Sequence, residues 1–277
     1  MGTTRMGDYL RARRGQLKPE DVGLHSGGRR RVEGLRREEV AMLAGISPEY
    51  YLRLEQGRDQ RPSDQVIAAL AGALRLDADG ISYLDTIARP ARPPSRAPTA
   101  ETAGPHVQSL IDGWPRTAAY VQGRGFTVLA ANRLAVALTE HFAPGAVPLK
   151  AAFLAPDMRA LYRNWDAMTA KTVPFLRSVA AGHEDDPEVA ALITELTQGS
   201  ERFRTLWERH DVKVRDEGAT ELDHPLVGHL DLRYQKLVLP ESDHLLVTYH
   251  AEPGSPSEEP FHRLADLAAQ REAGEIR

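Results

Sequence analysis

Hydrophobic residues in the first 88 positions recur at intervals of three and four, in short stretches that polar turns separate. This period predicts helices rather than strands. Ser47 is the predicted N-cap of one helix, Pro48 its first residue, and Gly57 the residue that ends it. The five predicted helices cover residues 3–16, 35–43, 47–57, 62–74 and 77–88, with a polar, glycine-rich loop over 17–34.

Residues 106–256 combine this helical period with the two-residue alternation of strands. The alternation predicts a β-hairpin over 119–122 and 126–132, and further strands over 226–234, 236–239 and 245–251. Helical spacing predicts helices over 157–179, around 189–196 and around 203–207. Strands at both ends with helices between them favour one antiparallel sheet with helices packed on it. We therefore expect an α+β protein with an all-α, five-helix N-terminal domain.

A proline-rich segment divides the chain. Residues 89–105 hold five prolines among 17 residues and no apolar residue larger than alanine, so this segment has nothing to bury. We interpret it as a semi-extended linker. The predicted domains are residues 1–88 and 106–256, joined by linker 89–105 and followed by a C-terminal helix or tail over 257–277.

Composition excludes several classes of protein. The chain of 277 residues has no cysteine, which excludes disulfides, thiolate metal sites and a cysteine nucleophile. No apolar run approaches the roughly 20 residues of a membrane helix, and residues 1–5 lack the apolar stretch of a signal peptide. We expect a cytoplasmic, nucleoid-associated bacterial protein without membrane contact.

Charge is distributed unevenly along the chain. Residues 1–62 hold 13 Arg and Lys against 9 Asp and Glu, a net charge of +4, whereas the rest of the chain has a net charge of −8. Twelve of those 13 cations are arginine, the side chain best shaped for bidentate contacts with phosphate and guanine. A basic N-terminal domain is typical of nucleic-acid binding.

Two short predicted helices joined by a glycine turn carry the clearest functional signal. Ala41 is small where the helices must approach, and Gly45 permits the positive φ of the turn. Ile46, Tyr51 and Leu54 are spaced to form the core below the second helix. This pattern predicts a helix-turn-helix, which places the start of its second helix in the major groove of DNA.

The stretch GLRREEVAMLAGISPEYYLRLEQGRDQRPSDQVIAALAGALRL resembles the XRE-type (Cro-type) bacterial transcription regulators. It is most similar to the subgroup with an MmyB-like C-terminal domain. That subgroup shares the basic insert SGGRRR at 26–31 and the YYxRLEQGR pattern at 50–58. One departure is Val32-Glu33, where the subgroup usually has Thr-Pro.

Side-chain chemistry suggests a role for each candidate in the DNA interface. Glu49 is suited to accept a hydrogen bond from cytosine N4, Arg53 to reach guanine or phosphate, and Tyr50 to touch a thymine methyl group or phosphate. We interpret Glu55 as a structural partner of an arginine, and Tyr51 as a core residue. The candidate DNA-binding residues are Arg29, Arg30, Arg31, Arg36, Arg37, Ser47, Pro48, Glu49, Tyr50, Arg53, Arg58 and Arg61.

The C-terminal domain resembles the MmyB-like ligand-binding domain, a variant of the PAS fold. The matching segments lie at 126–133, 203–212, 224–232 and 249–255. The resemblance implies a sensory domain that holds a small hydrophobic effector, fatty-acid-like, between the sheet and the helices. Candidate ligand-binding residues are Trp114, Tyr120, Phe126, Phe153, Trp165, Phe175, Phe203, Trp207, Arg209, His210 and Tyr234, for which core packing is the alternative.

Enzymatic motifs are missing from the sequence. It contains no Gly-x-Ser-x-Gly elbow and no Walker loop, and Gly123-Arg-Gly125 lacks the third glycine of a dinucleotide loop. We expect no catalysis, no cofactor and no metal. Two alternatives remain: a protein-interaction module, such as a sigma-factor or antitoxin-like partner, and a small-molecule enzyme in the C-terminal domain.

The sequence thus predicts a DNA-binding transcription regulator. A single helix-turn-helix makes few base contacts, so we expect a homodimer on an inverted-repeat operator of double-stranded DNA, with half-sites one or more helical turns apart. We expect a small hydrophobic effector to switch its binding.

Overall fold

A computed structural model of the protein describes residues 4–25, 32–59, 61–89, 101–181, 186–213, 218–239, 242 and 244–275. The described chain is mixed α+β, as predicted, with helices at the N-terminus and a five-stranded antiparallel sheet with packed helices towards the C-terminus. It forms two compact units. The first comprises Met1–Pro93, Val173–Gly182 and Leu206–Arg215, and the second Pro94–Thr172, His183–Thr205 and Asp216–Arg277.

The five helices predicted for the N-terminal part are confirmed, and capping residues fix where four of them begin. Thr4, Ser47, Ser63 and Asp77 each accept a hydrogen bond from a backbone N–H in the first helical turn. A short 3₁₀ helix, Pro19–Val22, lies within the predicted loop. The helices are α1 (Arg5–Gln16), α2 (Arg37–Leu43), α3 (Pro48–Glu55), α4 (Asp64–Ala73) and α5 (Ala78–Ala88).

The core of this helical part draws on all five helices. Tyr9, Leu10, Tyr51 and Leu54 are completely buried, and Tyr9 packs edge-on against Tyr83 with ring centres 4.9 Å apart. Helix α1 also lies against the end of α3. A Cβ atom on Gly7 would stand 2.2 Å from the carbonyl oxygen of Glu55, so only glycine permits this approach.

The rest of the chain supplies the sheet and the helices around it. Helices α10 and α12 contribute their first residues to the second unit and their last residues to the first. The helices are α6 (Pro105–Asp112), α7 (Arg133–Leu138), α8 (Pro148–Leu154), α9 (Pro156–Leu161), α10 (Trp165–Ala180), α11 (Pro187–Gly199), α12 (Glu201–Glu208) and α13 (Glu258–Glu275), with a 3₁₀ turn at Glu140–Phe142. The strands are β1 (Ala118–Gln122), β2 (Val128–Ala131), β3 (Gly218–His224), β4 (Gly228–Leu239) and β5 (His244–Ala251).

The sheet has the order β2-β1-β5-β4-β3, with every neighbouring pair antiparallel. Alternating residues of its strands face a large hydrophobic core that includes side chains of α7, α9 and α13. The opposite face of β1 and β5 packs against Ile111 of α6 through Ala119, Val121 and Leu246. The sheet is therefore covered on both faces at β1.

Two sequence-based predictions about this part of the chain were wrong, and one strand was not predicted. The strands predicted over 226–234 and 236–239 are one strand, β4, because it pairs without a break with β5 from Leu232 to Leu239. Strand β3 was not predicted, because Leu222 is its one large apolar residue. The helix predicted over 157–179 is interrupted between α9 and α10. There Tyr162 forms a β-bridge with Leu222, and Asn164 accepts a hydrogen bond from the Ala167 N–H to begin α10.

Asn132, the residue between β2 and α7, joins several elements of the second unit. Its side-chain oxygen accepts hydrogen bonds from the backbone N–H groups of Ala119 (3.1 Å) and Ala135 (3.0 Å). Its amide nitrogen donates to the carbonyl oxygens of Ile111 (3.0 Å) and Thr117 (2.7 Å). Because the side chain is buried, water cannot replace these bonds.

We expect Asn132→Ala to lower the free energy of unfolding by about 2–4 kcal/mol, because it removes a helix cap and leaves buried backbone groups unpaired. Urea unfolding measures this loss. The matched control is Asn164→Ala, which removes a cap from an exposed residue and is expected to cost about 1 kcal/mol. Equal losses for the two variants would contradict the role of Asn132.

Candidate DNA interface and ligand cavity

Helices α2 and α3 are joined by the tight glycine turn that the sequence predicted. Gly45 has φ +65°, and the N–H of Ile46 donates to the carbonyl oxygen of Ala41 at 3.0 Å. Ala41 is completely buried. The small side chain lets the helices approach, and the left-handed glycine reverses the chain between them.

Helix α3 has one buried face and one exposed face. Tyr51 and Leu54 are completely buried, as predicted. Ser47 caps the helix by accepting a hydrogen bond from the Tyr50 N–H at 3.1 Å. The guanidinium of Arg53 lies 5.3 Å from the centre of the Tyr50 ring, a cation–π distance. The residues exposed at the start of this helix and along its outer face are Ser47, Pro48, Glu49 and Arg53, with Tyr50 half-buried beside them.

Glu55 at the end of α3 is an ion-pair centre with no exposed surface. Its carboxylate accepts hydrogen bonds at 2.6 Å from Nε of Arg14 on α1 and at 2.6 Å from Nε of Arg37 on α2. Burial by itself raises the pKa of Glu55, but the hydrogen bonds from the two arginines outweigh it and hold this pKa below its usual value. The structural role predicted for Glu55 is confirmed.

The basic candidates around α3 are exposed where the structure describes them. Arg37 remains 46% exposed although its Nε is bound to Glu55. The backbone N–H of Arg36 donates to the Glu39 carboxylate at 2.6 Å, which closes the start of α2. Arg29, Arg30 and Arg31 lie outside the described residues. Arg36, Arg37, Arg58 and Arg61 are all exposed.

Described residues of the second unit line one cavity of about 290 Å³ and another of about 1010 Å³. The smaller lies between the first half of α10 and the sheet. Its walls include Met168 and Thr172 of α10 and Ala219 of β3. Lys171, Lys236, Glu221 and Asp231 also line it, so its wall combines charged side chains with aromatic and apolar ones.

Aromatic side chains form the floor of the smaller cavity. Tyr162, Tyr234 and Tyr249 line it directly. Behind Tyr249, the rings of Phe142 and Tyr120 continue the stack, with centres 5.6 Å from Tyr249 to Phe142 and 4.5 Å from Phe142 to Tyr120. Burial raises the pKa of Tyr249 well above its ordinary value, and hydrogen bonds with Tyr162 and Tyr120 add to this. Tyr249 therefore presents a neutral phenol to this cavity at neutral pH.

The larger cavity has a more polar lining, including Asp112, Arg133, Asp157 and His224. The imidazole Nε2 of His224 lies 3.0 Å from the carbonyl oxygen of Ala137, and its Nδ1 accepts a hydrogen bond from the Leu226 N–H. Burial lowers the pKa of His224. This histidine is thus a neutral link between the β3–β4 turn and α7.

The structure distributes the predicted ligand-binding residues over several places. Tyr234 lines the smaller cavity and Trp114 the larger. Phe153 packs edge-on against Trp165 and Phe203 in the interior, and Phe126 lies in the turn after β1 with φ +63°. Tyr120 lies behind the floor of the smaller cavity. The remaining four, Phe175, Trp207, Arg209 and His210, belong to the first unit.

Sequence reasoning missed Tyr162, Met168 and Tyr249 as cavity residues. Tyr162 and Met168 lie in the helix predicted over 157–179, and Tyr249 lies in the strand predicted over 245–251. The pattern identified their burial but not the gap between them. Among the described residues, no group of three or more His, Cys, Asp or Glu side chains is placed to hold a metal ion.

The fold and the exposed face of α3 define a helix-turn-helix protein. A helix-turn-helix domain family model matches residues 5–84, and the model of the MmyB-like transcription regulator ligand binding domain matches residues 103–265. The chain belongs to this MmyB-like transcription regulator family. The two domains together identify a DNA-binding transcription regulator and are typical of regulators rather than enzymes.

No curated protein matches the chain. Within the described part of the chain, none of the helices is both long enough and apolar enough to cross a membrane.

We expect Glu55→Gln to lower the free energy of unfolding at neutral pH by about 3 kcal/mol, because two arginines then face a buried neutral amide. The depressed pKa sets the pH dependence. The carboxylate contributes its stability above its usual pKa of 4.5, and this contribution is lost as the pH falls through the lower folded value. The difference between wild type and variant should therefore shrink in acid, which urea unfolding at a series of pH values measures.

The matched control for this prediction is Glu49→Gln on the exposed face of the same helix, where we expect little change in stability at any pH. A wild-type advantage that persists unchanged well below pH 4.5 would contradict the ion-pair role of Glu55.

Proposed function

We propose that this protein is a sequence-specific regulator whose α3 enters the major groove of operator DNA and whose DNA binding is switched by a small hydrophobic ligand. The observation that carries the first part is the two-faced helix α3. Its buried face anchors it, and its N-terminal residues remain exposed, which is the arrangement that base reading requires.

The exposed side chains divide into base readers and backbone binders. Glu49 accepts from cytosine N4, Arg53 donates to guanine, and Tyr50 contacts a thymine methyl group while its ring orients Arg53. Ser47 and Pro48 hold the start of the helix against the groove. The remaining arginines bind phosphate: Arg36, Arg37, Arg58 and Arg61, with Arg29, Arg30 and Arg31 at phosphate or in the minor groove.

The operator is an inverted repeat bound by a homodimer. A single α3 offers few base-reading side chains, and two copies related by a two-fold axis double the number of contacts. Residues 89–105 serve as the linker after the DNA-binding domain. The smaller cavity, with its aromatic floor, is the site of a fatty-acid-like effector in a PAS-like domain, and the helices packed on one antiparallel sheet support this assignment.

The test of DNA binding starts from a duplex selected in vitro with the wild-type protein from random DNA. We expect Arg53→Ala to cost about 1–3 kcal/mol on this duplex and to relax the preference at one base position. Arg58→Ala should weaken binding to all sequences alike and reduce the slope of log K against log salt by about 0.9. Fluorescence anisotropy at several salt concentrations measures both effects.

Arg204→Ala, an exposed arginine of α12 in the second unit, is the matched control and should leave the affinity unchanged. Failure to enrich any sequence from the random pool would contradict the proposed function and favour a protein-interaction module instead.

For the ligand, we expect the wild-type protein to bind dodecanoate in isothermal titration calorimetry, with a negative heat-capacity change from buried apolar surface. Ala219→Phe fills the smaller cavity and should abolish this binding. Ala160→Phe adds the same side chain to the larger cavity and serves as the control. Loss of binding in the control but not in Ala219→Phe would contradict the choice of cavity.

A further inference from the structure

We infer that α10 carries the state of the smaller cavity to the DNA-binding helices, by way of the segment Leu206–Lys213 and helix α1. This inference rests on the proposed function of the cavity and of α3, and adds the route by which one acts on the other. It is built from one helix shared by two units and from a chain of polar contacts within the first unit.

The two halves of helix α10 belong to different units of the protein. In the first half, Met168, Lys171 and Thr172 line the smaller cavity. The second half, from Val173, belongs to the first unit. Pro174 lies at this junction and has no N–H to donate to the carbonyl of Ala170, so the helix lacks one hydrogen bond there. The helix therefore has one hydrogen bond fewer at the boundary between its cavity half and its other half.

The second half of α10 is bound to the segment Leu206–Lys213. Arg177 is almost completely buried, stacks on the Trp207 ring at 3.8 Å and donates a hydrogen bond to the Trp207 carbonyl oxygen. The N–H of Lys213 donates to the carbonyl oxygen of Pro174 at 3.1 Å and lies 3.0 Å from Oγ of Ser178. Because hydrogen bonds hold both ends of the segment to the second half of α10, we expect the segment and this half of the helix to move together.

The same segment is bound to α1. Gln16 donates a hydrogen bond to the carbonyl oxygen of Arg209 at 2.6 Å, and Arg13 lies 3.8 Å from the Asp211 carboxylate. Val212 and Ala181 pack into the hydrophobic core that contains Tyr9 and Leu10. His210 lies between these contacts in a left-handed conformation, with φ +54°. A non-glycine residue keeps this conformation only where its surroundings impose it.

Helix α1 in turn holds α3. Arg14 binds the Glu55 carboxylate and also donates to the carbonyl oxygen of Leu35 at 2.8 Å. Gly7 lies against the Glu55 backbone with no room for a side chain. A displacement of α1 therefore displaces α3 and, through Glu55, the side chain of Arg37.

A ligand shifts DNA binding only if it binds two states of the protein unequally. A molecule in the smaller cavity fills the space between α10 and the sheet, so its affinity depends on the position of Met168 and Thr172. A change in the position of α10 then reaches α1 in two steps. Arg177 binds the segment Leu206–Lys213 to α10, and Asp211 and the Arg209 carbonyl bind that segment to Arg13 and Gln16 of α1. Coupling of this kind typically changes an affinity between about 5-fold and 150-fold.

A double-mutant cycle on the full-length protein tests this route. Ala219→Phe imitates an occupied cavity, and the pair Gln16→Ala with Asp211→Ala removes polar contacts between the segment and α1. The Kd for the selected duplex is measured for wild type, for each change and for the combination. We expect Ala219→Phe to change this Kd by at least about fivefold in the otherwise intact protein. In the Gln16→Ala, Asp211→Ala background the same change should stay below about twofold.

Three controls separate the possible failures. Ala160→Phe, in the larger cavity, should leave the Kd unchanged in both backgrounds. If Ala219→Phe unfolds the protein, as urea unfolding would show, Ala167→Leu on α10 takes its place in the cycle. Wild-type affinities for the duplex and for dodecanoate are measured first, because their absence contradicts the proposed function. When the wild type binds both, two results would overturn the route through α10. One is that Ala219→Phe shifts the Kd for the duplex equally in the two backgrounds. The other is that Ala219→Phe abolishes dodecanoate binding but leaves the Kd for the duplex unchanged.

Discussion

One buried carboxylate organises the DNA-binding part of this protein. Glu55 has no exposed surface, and a charge so placed is tolerated only because Arg14 and Arg37 both donate to it. Those arginines come from α1 and α2, so a single ionised group fixes three helices at once. These ion pairs therefore set the orientation of the exposed face of α3. Arg37 remains accessible on the surface although its Nε donates to Glu55.

The second unit depends on a different kind of constraint, the packing of aromatic rings against one face of an antiparallel sheet. Tyr120, Phe142 and Tyr249 stack there, and the space left beyond Tyr249 is the smaller cavity. The lining includes the exposed side chains of Lys171, Glu221 and Asp231, so the cavity is partly open to solvent. It lies beside the first half of α10, the helix through which we propose that its occupancy acts on α1.

The helical domain was largely predictable from the sequence because its signals are local. Ser47, Ser63 and Asp77 mark helix starts, Gly45 marks the turn, and each acts on neighbours within a few residues. The sheet was less predictable because strand pairing depends on residues that are distant in sequence. Leu222 alone does not indicate β3. The predicted helix is interrupted at Tyr162 because this residue forms a β-bridge with Leu222. The cavity was least predictable, since periodicity marks a side chain as buried without showing whether its neighbours fill the space around it.

The division of α3 into two faces has an evolutionary consequence. Glu49 and Arg53 contribute nothing to the hydrophobic core, whereas Tyr51, Leu54 and Glu55 on the other face are buried. In the proposed mode of DNA binding, substitutions at these exposed positions alter which bases are read without requiring compensating changes in the buried face. Duplicated copies of such a gene would then be free to acquire separate operators, and so separate target genes, while they retain the same ligand-binding domain.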